Sequence, residues 1–364
     1  MDKQIIALLY GGRSGEHDVS LRSAAFVFEN IDKSVYDILP IGISREGIWY
    51  LQPETLSPKD GILPIVKSES EIVSAIPGCG LSHMGKMLSI HLVFPILHGS
   101  FGEDGTVQGL LELTNLPYAG ADVPGCALSM DKELIKMVWQ DANLPVVPFV
   151  SLLKGDFKES DGSLDKLPET FMKKIIKFGL PLFVKPANTG SSLGVNRVDS
   201  MEELQAALSE AFKYDIKLLV EPCITAREIE CSVIGNHKPR TFLPGEIVTK
   251  HTFYDYEAKY SDPDGAELLI PAPLPEGTRA EIMRVALEAY RSAGISGMAR
   301  VDFFVNEKGE PFLNELNAIP GFTSISMYPM MCAEGGLDNK ALINELIDLG
   351  LSRFEERKGI RYSI

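Results

Sequence analysis

Two apolar runs within residues 298–321 flank a short turn-prone segment, and this pattern predicts an antiparallel β-hairpin. The turn is centred between Lys308 and Gly309, and residues two apart on one strand point to the same face. Two acids then face each other across the strands. This constrains the fold, because opposed like charges destabilise a sheet unless a cation lies between them. The facing pairs are Asp302 with Glu315 and Arg300 with Asn317.

The polar face of this hairpin has the chemistry of a metal site. The carboxylates of Asp302 and Glu315 and the amide of Asn317 supply oxygen ligands of the type that Mg²⁺ prefers. The alternative is a solvent-facing hairpin on which the charges merely alternate. Four polar groups on one face, next to the apolar Phe303 and Phe304, make that alternative the weaker one.

A second segment, residues 183–194, is a strand that ends in Lys185 and continues into a loop of small residues. The backbone N–H groups of such a loop can approach phosphate oxygens closely, although the segment is not a Walker motif. An ordinary hairpin turn is the alternative interpretation. Combined with a magnesium site, however, a phosphate-binding loop supplies what phosphoryl transfer needs, namely positioning and neutralisation of charge.

The first third of the chain contains two strand–turn–helix units. A short apolar run at residues 5–10 leads through two glycines into helical spacing at 19–29, and a second run at 89–97 leads through a glycine-rich turn into helical spacing at 106–113. This order predicts an open parallel sheet, whose ligands bind beyond the carboxyl ends of the strands. Residues 11–15 do not fit the GxGxxG pattern of dinucleotide-binding proteins.

The rest of the chain predicts a mixed α/β structure. Residues 154–168 are polar and predict a loop, whereas residues 201–212, 277–293 and 339–357 have helical spacing. A chain of 364 residues is long enough for two or three domains.

The net charge of −15 argues against a nucleic-acid partner. The longest apolar stretch, residues 87–97, is too short to span a membrane, and the amino terminus lacks the pattern of a signal peptide. Five scattered cysteines without metal-ligand spacing fit a reducing cytoplasm.

Several segments together resemble the ATP-grasp enzymes, and in particular the family of D-alanine:D-alanine ligases. The similarity extends over almost the whole chain. It is carried by GGRSGEHDVS, HGSFGEDGTVQG, the MDK that ends at Lys132, KPANTGSSLG, AREIECSV, TFYDYEAKY, RVDFF and NELNAIPGFTS. The resemblance implies an α/β fold with an amino-terminal Rossmann-like, open parallel-sheet domain at residues 1–125. A two-part ATP-grasp α+β module would follow, at residues 126–220 and 221–364.

The resemblance also implies an activity. The enzyme would use ATP to phosphorylate the carboxylate of one D-alanine, and the amine of a second D-alanine would displace phosphate, giving a dipeptide for peptidoglycan precursors in the cytoplasm. ATP and D-alanine would be the small-molecule partners, no membrane would be involved, and a homodimer is one expected assembly. The rival activities are D-alanine:D-serine or D-alanine:D-lactate ligation, and a binding protein that keeps the shape without turnover. Lys259 and Tyr260, in TFYDYEAKY, favour D-alanine as the second substrate.

The resemblance implies roles for individual nucleotide and metal ligands. Two lysines would hold the ATP phosphates, three residues would surround the adenine and ribose, and the hairpin would bind two Mg²⁺ ions, with Mn²⁺ able to substitute. In that order, the residues are Lys132 and Lys185; Glu221, Ile224 and Glu228; and Asp302, Glu315 and Asn317.

Substrate-binding and catalytic roles follow by the same resemblance. Glu16 would pair with the ammonium of the first D-alanine, and His98 would lie near its carboxylate. The oxyanion of the tetrahedral intermediate would be stabilised by Arg300 and the backbone N–H of Gly321. The remaining roles are Ser191 as a link between Glu16 and Tyr260, residues 253–260 as a lid, and Ser326 and Met327 as the second-substrate site.

Simpler interpretations stay open for some of these residues. His98 precedes a glycine and could simply cap or pack within a turn, with no role in binding. Glu16 and Asp18 fall in the first turn of a predicted helix, where acids are common partners of the helix dipole. Glu228 and Glu230 could lie on a solvated strand edge. Ala318 replaces the Thr or Ser of most family members, and Pro222 has no N–H to offer in the expected adenine hinge.

Overall fold

The computed structural model describes residues 3–157, 159–160, 163–164, 167–249 and 266–361. Within these ranges the strands form sheets of four, four and six strands and two smaller sheets. No helix in the described part of the chain is long and apolar enough to cross a membrane.

The first third of the chain forms a mainly parallel sheet. In chain order its elements are β1 (Gln4–Gly11), α1 (His17–Asn30), β2 (Tyr36–Ile43), β3 (Trp49–Leu51), a 3₁₀ helix (Glu69–Glu71), β4 (Val73–Ile76), β5 (Gly80–His83), β6 (Lys86–Met87), β7 (Leu92–Ile96) and α2 (Thr106–Leu113). The sheet order is β3-β2-β1-β7, with β1 parallel to both β2 and β7. The predicted open parallel sheet is confirmed, with β3 added as an antiparallel edge strand.

Strand β1 shows why the sheet forms. Its side chains alternate between two separate cores, Ile6 and Leu8 on one face and Ala7 and Leu9 on the other, as expected for a parallel sheet covered on both faces. The strand ends in a turn at Gly11, where φ is +91° and a Cβ atom would lie 2.2 Å from the carbonyl oxygen of Ile43. Only glycine fits there. The turn leads into α1 at the carboxyl end of β1.

Two short helices connect this sheet to the rest of the chain. They are α3 (Val123–Met130) and α4 (Lys132–Asp141). Helix α4 is capped by Asp131, whose carboxylate accepts hydrogen bonds from the backbone N–H groups of Glu133 and Leu134, each at 3.1 Å. Lys132 is therefore the first residue of a capped helix, with its position fixed by the cap.

The second four-stranded sheet is antiparallel, in the order β12-β11-β13-β8. The predicted helix at 201–212 is present but shorter, and the predicted polar loop at 154–168 contains a short 3₁₀ helix and two two-residue strands. In chain order the elements are β8 (Val150–Leu153), a 3₁₀ helix (Lys154–Asp156), β9 (Glu159–Ser160), β10 (Ser163–Leu164), α5 (Glu169–Ile176), β11 (Leu182–Pro186), β12 (Asn196–Val198), α6 (Leu204–Ala211) and β13 (Lys217–Pro222).

The last sheet has the order β17-β16-β14-β18-β19, with β15 paired to β14. The helical predictions for 277–293 and 339–357 are confirmed within one residue at each end. In chain order the elements are β14 (Ala226–Ile234), β15 (Arg240–Thr241), β16 (Gly245–Thr249), β17 (Ala266–Leu269), α7 (Glu276–Ser292), β18 (Met298–Asn306), β19 (Pro311–Asn317), α8 (Met327–Glu334) and α9 (Asn339–Lys358). The division into domains after residues 125 and 220 stays a prediction, and the second boundary falls inside β13.

Candidate active site

The predicted hairpin is formed by β18 and β19, and its facing pairs are confirmed. Asp302 lies opposite Glu315, and Arg300 lies opposite Asn317. Asp302 and Arg300 are on the strand that also pairs with β14, where Glu230 lies opposite Asp302. Three carboxylates therefore line one stretch of the sheet face, since all three positions are cross-strand neighbours.

The turn of the hairpin differs from the predicted one. Its three-residue loop is centred on Lys308, because the backbone N–H of Asn306 donates to the carbonyl of Glu310 at 3.1 Å. Gly309 has φ of +79°, as a three-residue hairpin loop requires. A β-bulge at Asn314 adds one residue to β19 and restores the predicted pairing beyond it. The shifted loop centre and the bulge therefore cancel, so the predicted pairs still face each other.

Arg300 is the centre of an ion-pair cluster on this face. Its Nε and Nη2 atoms donate to the two carboxylate oxygens of Asp302, each at 2.7 Å, and Nε lies 3.0 Å from Oε2 of Glu230. Asn317 donates to Asp302 as well, at 2.9 Å. Burial alone would lower the pKa of Arg300, but the charges of Asp302 and Glu230 raise it well above its usual value. Arg300 is therefore permanently charged.

The donor set of the hairpin fits a magnesium ion. Asp302, Glu315 and Asn317 offer hard oxygen ligands on one face, and two of them are acids held opposite each other. Among the described residues no group of three or more His, Cys, Asp or Glu side chains is placed to hold a metal. The amide of Asn317 is therefore needed to complete the proposed set.

Lys132 connects the hairpin with the lysine loop. Its Nζ atom donates to the carbonyl of Thr189 at 2.6 Å and lies 3.7 Å from a carboxylate oxygen of Glu315. Its backbone N–H donates to the carbonyl of Ala187 at 3.0 Å. Helix α4 thus begins between the two predicted functional segments.

Lys185 lies in a second cluster, in which the charges are reversed. Its Nζ atom is 2.6 Å from Oε2 of Glu221 and donates to the side-chain oxygen of Asn314, the bulge residue, at 3.2 Å. Lys136 of α4 lies 2.7 Å from the other oxygen, Oε1, of Glu221. Burial alone would raise the pKa of Glu221, but the two lysines outweigh it and lower the pKa. Glu221 is therefore ionised.

The loop after Lys185 reaches the first sheet. Ser191 donates a short hydrogen bond to a carboxylate oxygen of Glu16. A Cβ atom on Gly190 would lie 3.1 Å from the other oxygen of Glu16, so glycine allows the close approach. Ser191 and Ser192 have left-handed φ values of +49° and +57°, which non-glycine residues rarely adopt. The contact with Glu16 is one half of the predicted link; the other half, to Tyr260, lies outside the described residues and stays a prediction.

His98 and Glu103 lie at the carboxyl end of β7. The Nδ1 atom of His98 is 3.1 Å from the carbonyl of Ile319, and Nε2 is 2.8 Å from the hydroxyl of Ser23. Nδ1 therefore carries the proton, and Nε2 accepts from Ser23. Burial lowers the pKa of His98 to about 4. His98 is neutral and held by protein contacts on both ring nitrogens, and a role near substrate stays a prediction.

Glu103 was not singled out in the sequence, although it belongs to the HGSFGEDG segment. Its carboxylate accepts from the backbone N–H groups of Gly99 at 2.7 Å and of Ile319 at 3.3 Å. Burial and the nearby charge of Glu16 raise the pKa of Glu103 to about 8. This acid ties the glycine-rich turn to the segment that follows β19.

The other predicted site residues all lie after the end of β13. Ile224 lies in the turn between β13 and β14, and Glu228 lies half-buried on β14. A Cβ atom on Gly321 would lie 3.0 Å from the hydroxyl oxygen of Ser326. Met327 is buried in the apolar core. Lys259, Tyr260 and the proposed lid at 253–260 lie outside the described residues.

The structure corrects one of the simpler interpretations and reveals three residues that the sequence did not. Glu230 is buried and paired with Arg300 rather than lying on a solvated strand edge. Lys136 occurs one turn after Lys132, but this spacing alone does not distinguish it from a solvated helix position. Ala318 is buried within the apolar core. Because alanine has no hydroxyl, the position needs no hydrogen-bond partner there. The other two missed residues are Glu103 and Asn314.

Comparison with known proteins identifies the family. Residues 5–121 match the family described as D-ala D-ala ligase N-terminus, and residues 138–348 match D-ala D-ala ligase C-terminus. The chain belongs to the D-alanine–D-alanine ligase family. The resemblance inferred from the sequence motifs is confirmed.

Individual relatives cover nearly the whole chain. The D-alanine–D-alanine ligase of Treponema denticola is 44% identical over 98% of this chain and 98% of its own length. Among solved structures, the D-alanine-D-alanine ligase of Coxiella burnetii has a TM-score of 0.83 at 35% identity and covers 98% of this chain and 97% of that one. The VanG D-Ala:D-Ser ligase of Enterococcus faecalis has a TM-score of 0.82 at 33% identity, covering 96% and 100%. The fold is therefore that of the ATP-grasp ligases, as predicted.

Proposed function

We propose that this chain is an ATP-dependent ligase that joins two D-alanines through an acyl phosphate, for peptidoglycan precursor synthesis. Membership of the family supports this function. The observation that carries it is the position of Lys132, between a loop whose backbone N–H groups can face phosphate and a hairpin that offers oxygens to a metal. Phosphoryl transfer needs these two partners at one place.

ATP would bind between the second and third sheets. Lys132 and Lys185 would hold its phosphates, since the Lys132 ammonium donates to the carbonyl of Thr189 in the loop and Lys185 lies two residues before the loop begins. Glu221, Ile224 and Glu228 would surround the adenine and ribose, because they lie together on β13, β14 and the turn between them.

Asp302, Glu315 and Asn317 would hold two Mg²⁺ ions, or Mn²⁺ in their place. The bound ions would cancel charge on the phosphates as the γ-phosphate moves. The protein supplies hard oxygen ligands on one hairpin face and keeps a permanently charged Arg300 beside them.

The first D-alanine would bind where the first sheet meets the lysine loop. Glu16 would accept the substrate ammonium, with Ser191 fixing the carboxylate by its hydrogen bond. His98, neutral and held on both ring nitrogens, would lie near the substrate carboxylate without adding a charge. The carboxylate would attack the γ-phosphate of ATP and release ADP.

The second step would form the peptide bond. The second D-alanine, near Ser326 and Met327, would attack the acyl phosphate through its neutral amine. The oxyanion would be stabilised by Arg300 and the backbone N–H of Gly321 until phosphate leaves. Lys259 and Tyr260 would close over this intermediate and exclude water, with Tyr260 reaching Ser191.

ADP release with and without D-alanine tests the proposal. The expected result is release that depends on D-alanine and is accompanied by dipeptide in equal amount. Nucleotide binding without D-alanine-dependent turnover would instead favour a non-catalytic binding protein.

A second candidate is a D-alanine:D-serine ligase, favoured by the similarity to the VanG structure. Competition between D-alanine, D-serine and D-lactate as second substrate separates the candidates, because the mixed products differ in mass. The proposed preference is D-alanine.

A cytoplasmic location is proposed because that compartment supplies ATP. We also propose a homodimer, which light scattering of the purified chain would test.

A further inference from the structure

Lys136 is a buried charge that the proposed mechanism does not use. Its side chain has no solvent-exposed surface. Apart from Glu221 at 2.7 Å, its ammonium group donates to the carbonyl of Val147 at 3.4 Å and lies 5.9 Å from the centre of the Phe149 ring. A charge so deeply buried is costly unless it is paired. Its position next to the expected ATP site calls for an explanation beyond packing.

Glu221 binds two lysines that differ in access to solvent. Lys136 at Oε1 is 0% exposed, whereas Lys185 at Oε2 is 10% exposed. Lys185 lies on β11 just before the phosphate loop and has a second, neutral partner in Asn314. Lys185 can therefore turn towards a ligand, but Lys136 cannot.

We propose that Lys136 is a positioning residue for ATP. It pairs with one oxygen of Glu221 whether or not ATP is bound. Lys185 can therefore leave the other oxygen and bind the ATP phosphates without leaving a buried carboxylate unpaired. The inference rests on the proposed ATP site. Glu221, relieved of Lys185, then has one oxygen available as a hydrogen-bond acceptor for the nucleotide. Lys136 thus acts through Glu221 and Lys185 and does not touch ATP.

The electrostatics of the cluster support this arrangement. Burial and the nearby charge of Lys185 together lower the pKa of Lys136 to about 8, although the charge of Glu221 opposes this shift. The two lysines repel each other across one carboxylate. An incoming phosphate gives Lys185 a new partner and relieves this repulsion, so the cluster favours an anion at Lys185.

The first test is Lys136→Met, which keeps the length of the side chain and removes its charge. Lys185 then becomes the only cation paired with the buried carboxylate of Glu221, and this ion pair holds Lys185 away from the phosphates. The dissociation constant of ATP, measured by calorimetry on the whole chain, is expected to rise about tenfold or more. The KM for D-alanine is expected to change less than about twofold, because the proposed D-alanine site at Glu16 and Ser191 lies outside the cluster. The kcat at saturating ATP is expected to fall less than ATP affinity does, because saturation restores occupancy of the site.

The second test repeats the substitution in the Glu221→Gln background. Without the carboxylate, Lys185 is not retained, so Lys136 has nothing left to compensate. The variants Glu221→Gln and Lys136→Met/Glu221→Gln are expected to bind ATP equally within about twofold. This comparison also serves if Lys136→Met alone does not fold, because neither variant of the pair contains the buried carboxylate that Lys136 compensates.

Trp139→Phe is the matched control for helix α4. Trp139 is also fully buried, one turn further along, and donates to the carbonyl of Ala289 at 3.2 Å. Its substitution lowers thermal stability without touching Glu221, and ATP affinity is expected to stay unchanged.

The proposal is overturned if Lys136→Met binds ATP as the wild type does, if Trp139→Phe loses as much affinity, or if Lys136→Met still costs tenfold in the Glu221→Gln background. Failure of the proposed function looks different. In that case the wild-type chain releases no ADP in response to D-alanine, while calorimetry with ATP still decides the role of Lys136.

Discussion

The two ion clusters of the candidate site are built with opposite charge. Around Glu221, one buried acid lies between two lysines. Around Arg300, one partly buried cation lies between the acids Asp302 and Glu230. The first cluster has a surplus of positive charge and the second a surplus of negative charge. The first is therefore suited to gain an anion and the second to gain a cation.

The difference explains how an acidic protein can bind a polyphosphate. The net charge of −15 repels anions at long range, so attraction must be local. Lys132 lies between the clusters, near Glu315 and the carbonyl of Thr189. Phosphates with bound magnesium would present each cluster with the charge it lacks.

The largest expected effect comes from breaking the acidic cluster at its centre. Arg300→Ala removes the proposed oxyanion donor, and such a loss typically lowers kcat by about 10²- to 10³-fold. ATP affinity, which we propose depends on the lysine cluster, is expected to fall far less. Stopped-flow kinetics and calorimetry measure the two quantities separately.

The matched control is Arg227→Ala. Arg227 makes a similar two-pronged pair with Glu246, at 2.7 and 2.6 Å, on the same sheet, but its side chain alternates to the other face of β14. Its loss is expected to leave turnover near the wild-type value. Equal losses of turnover and ATP affinity in Arg300→Ala would assign Arg300 to ATP binding instead.

A second prediction concerns the metal. Glu315→Gln removes the carboxylate that faces Asp302 across the hairpin. The Mg²⁺ concentration for half-maximal activity is expected to rise about tenfold or more, since even residues that only orient metal ligands are typically worth about 10- to 100-fold in metal affinity. A magnesium titration of activity measures this. The control is Glu307→Gln, in the exposed hairpin loop. An unchanged Mg²⁺ requirement in Glu315→Gln would exclude Glu315 as a ligand.

A smaller effect is expected at the helix that joins the clusters. Asp131→Ala removes the cap of α4 and an ion pair with Lys217 at 2.5 Å, so the free energy of unfolding should fall by about 0.5–2 kcal/mol and the KM for ATP should rise. Asp338→Ala removes the corresponding cap of α9. It should cost similar stability in urea unfolding and leave the KM unchanged. A KM that is the same in both variants would mean that the cap does not position Lys132.

The smallest expected effect is a change in pH dependence. The carboxyl of Glu103 has a pKa raised from 4.5 to about 8 by burial and by Glu16, so the folded state holds its proton more tightly than the unfolded state does. The free energy of unfolding should therefore decrease as the pH rises from about 4.5 to 8. Glu103→Gln should flatten this decrease in urea titrations at several pH values. A slope identical to the wild type would show that Glu103 is ionised throughout.

The sequence was most informative where the pattern was local. The facing of Asp302 with Glu315 follows from strand alternation, and it was predicted correctly. The loop centre at Lys308 and the bulge at Asn314 were not predicted, because hairpins with loops of different length share the same apolar pattern. A bulge depends on contacts with another strand, here Asn314 with Lys185.

The buried charges were the least predictable part. Lys136 and Glu230 have sequence neighbourhoods typical of a solvated helix face and a strand edge. Their burial is decided by partners 85 and 70 residues away in the chain, namely Glu221 and Arg300. Motif similarity identified Lys185 and Glu221 in the first cluster and Arg300 and Asp302 in the second. Only the structure shows how each charge is compensated.

The most direct test of the acyl phosphate route is an isotope-transfer experiment. D-alanine labelled with oxygen-18 in its carboxylate is incubated with the enzyme, ATP and Mg²⁺, and the released phosphate is analysed by mass spectrometry. If the carboxylate attacks ATP to form an acyl phosphate, one labelled oxygen passes to inorganic phosphate for each dipeptide formed. Unlabelled phosphate released together with dipeptide would contradict the acyl phosphate route, and with it the proposed roles of both clusters.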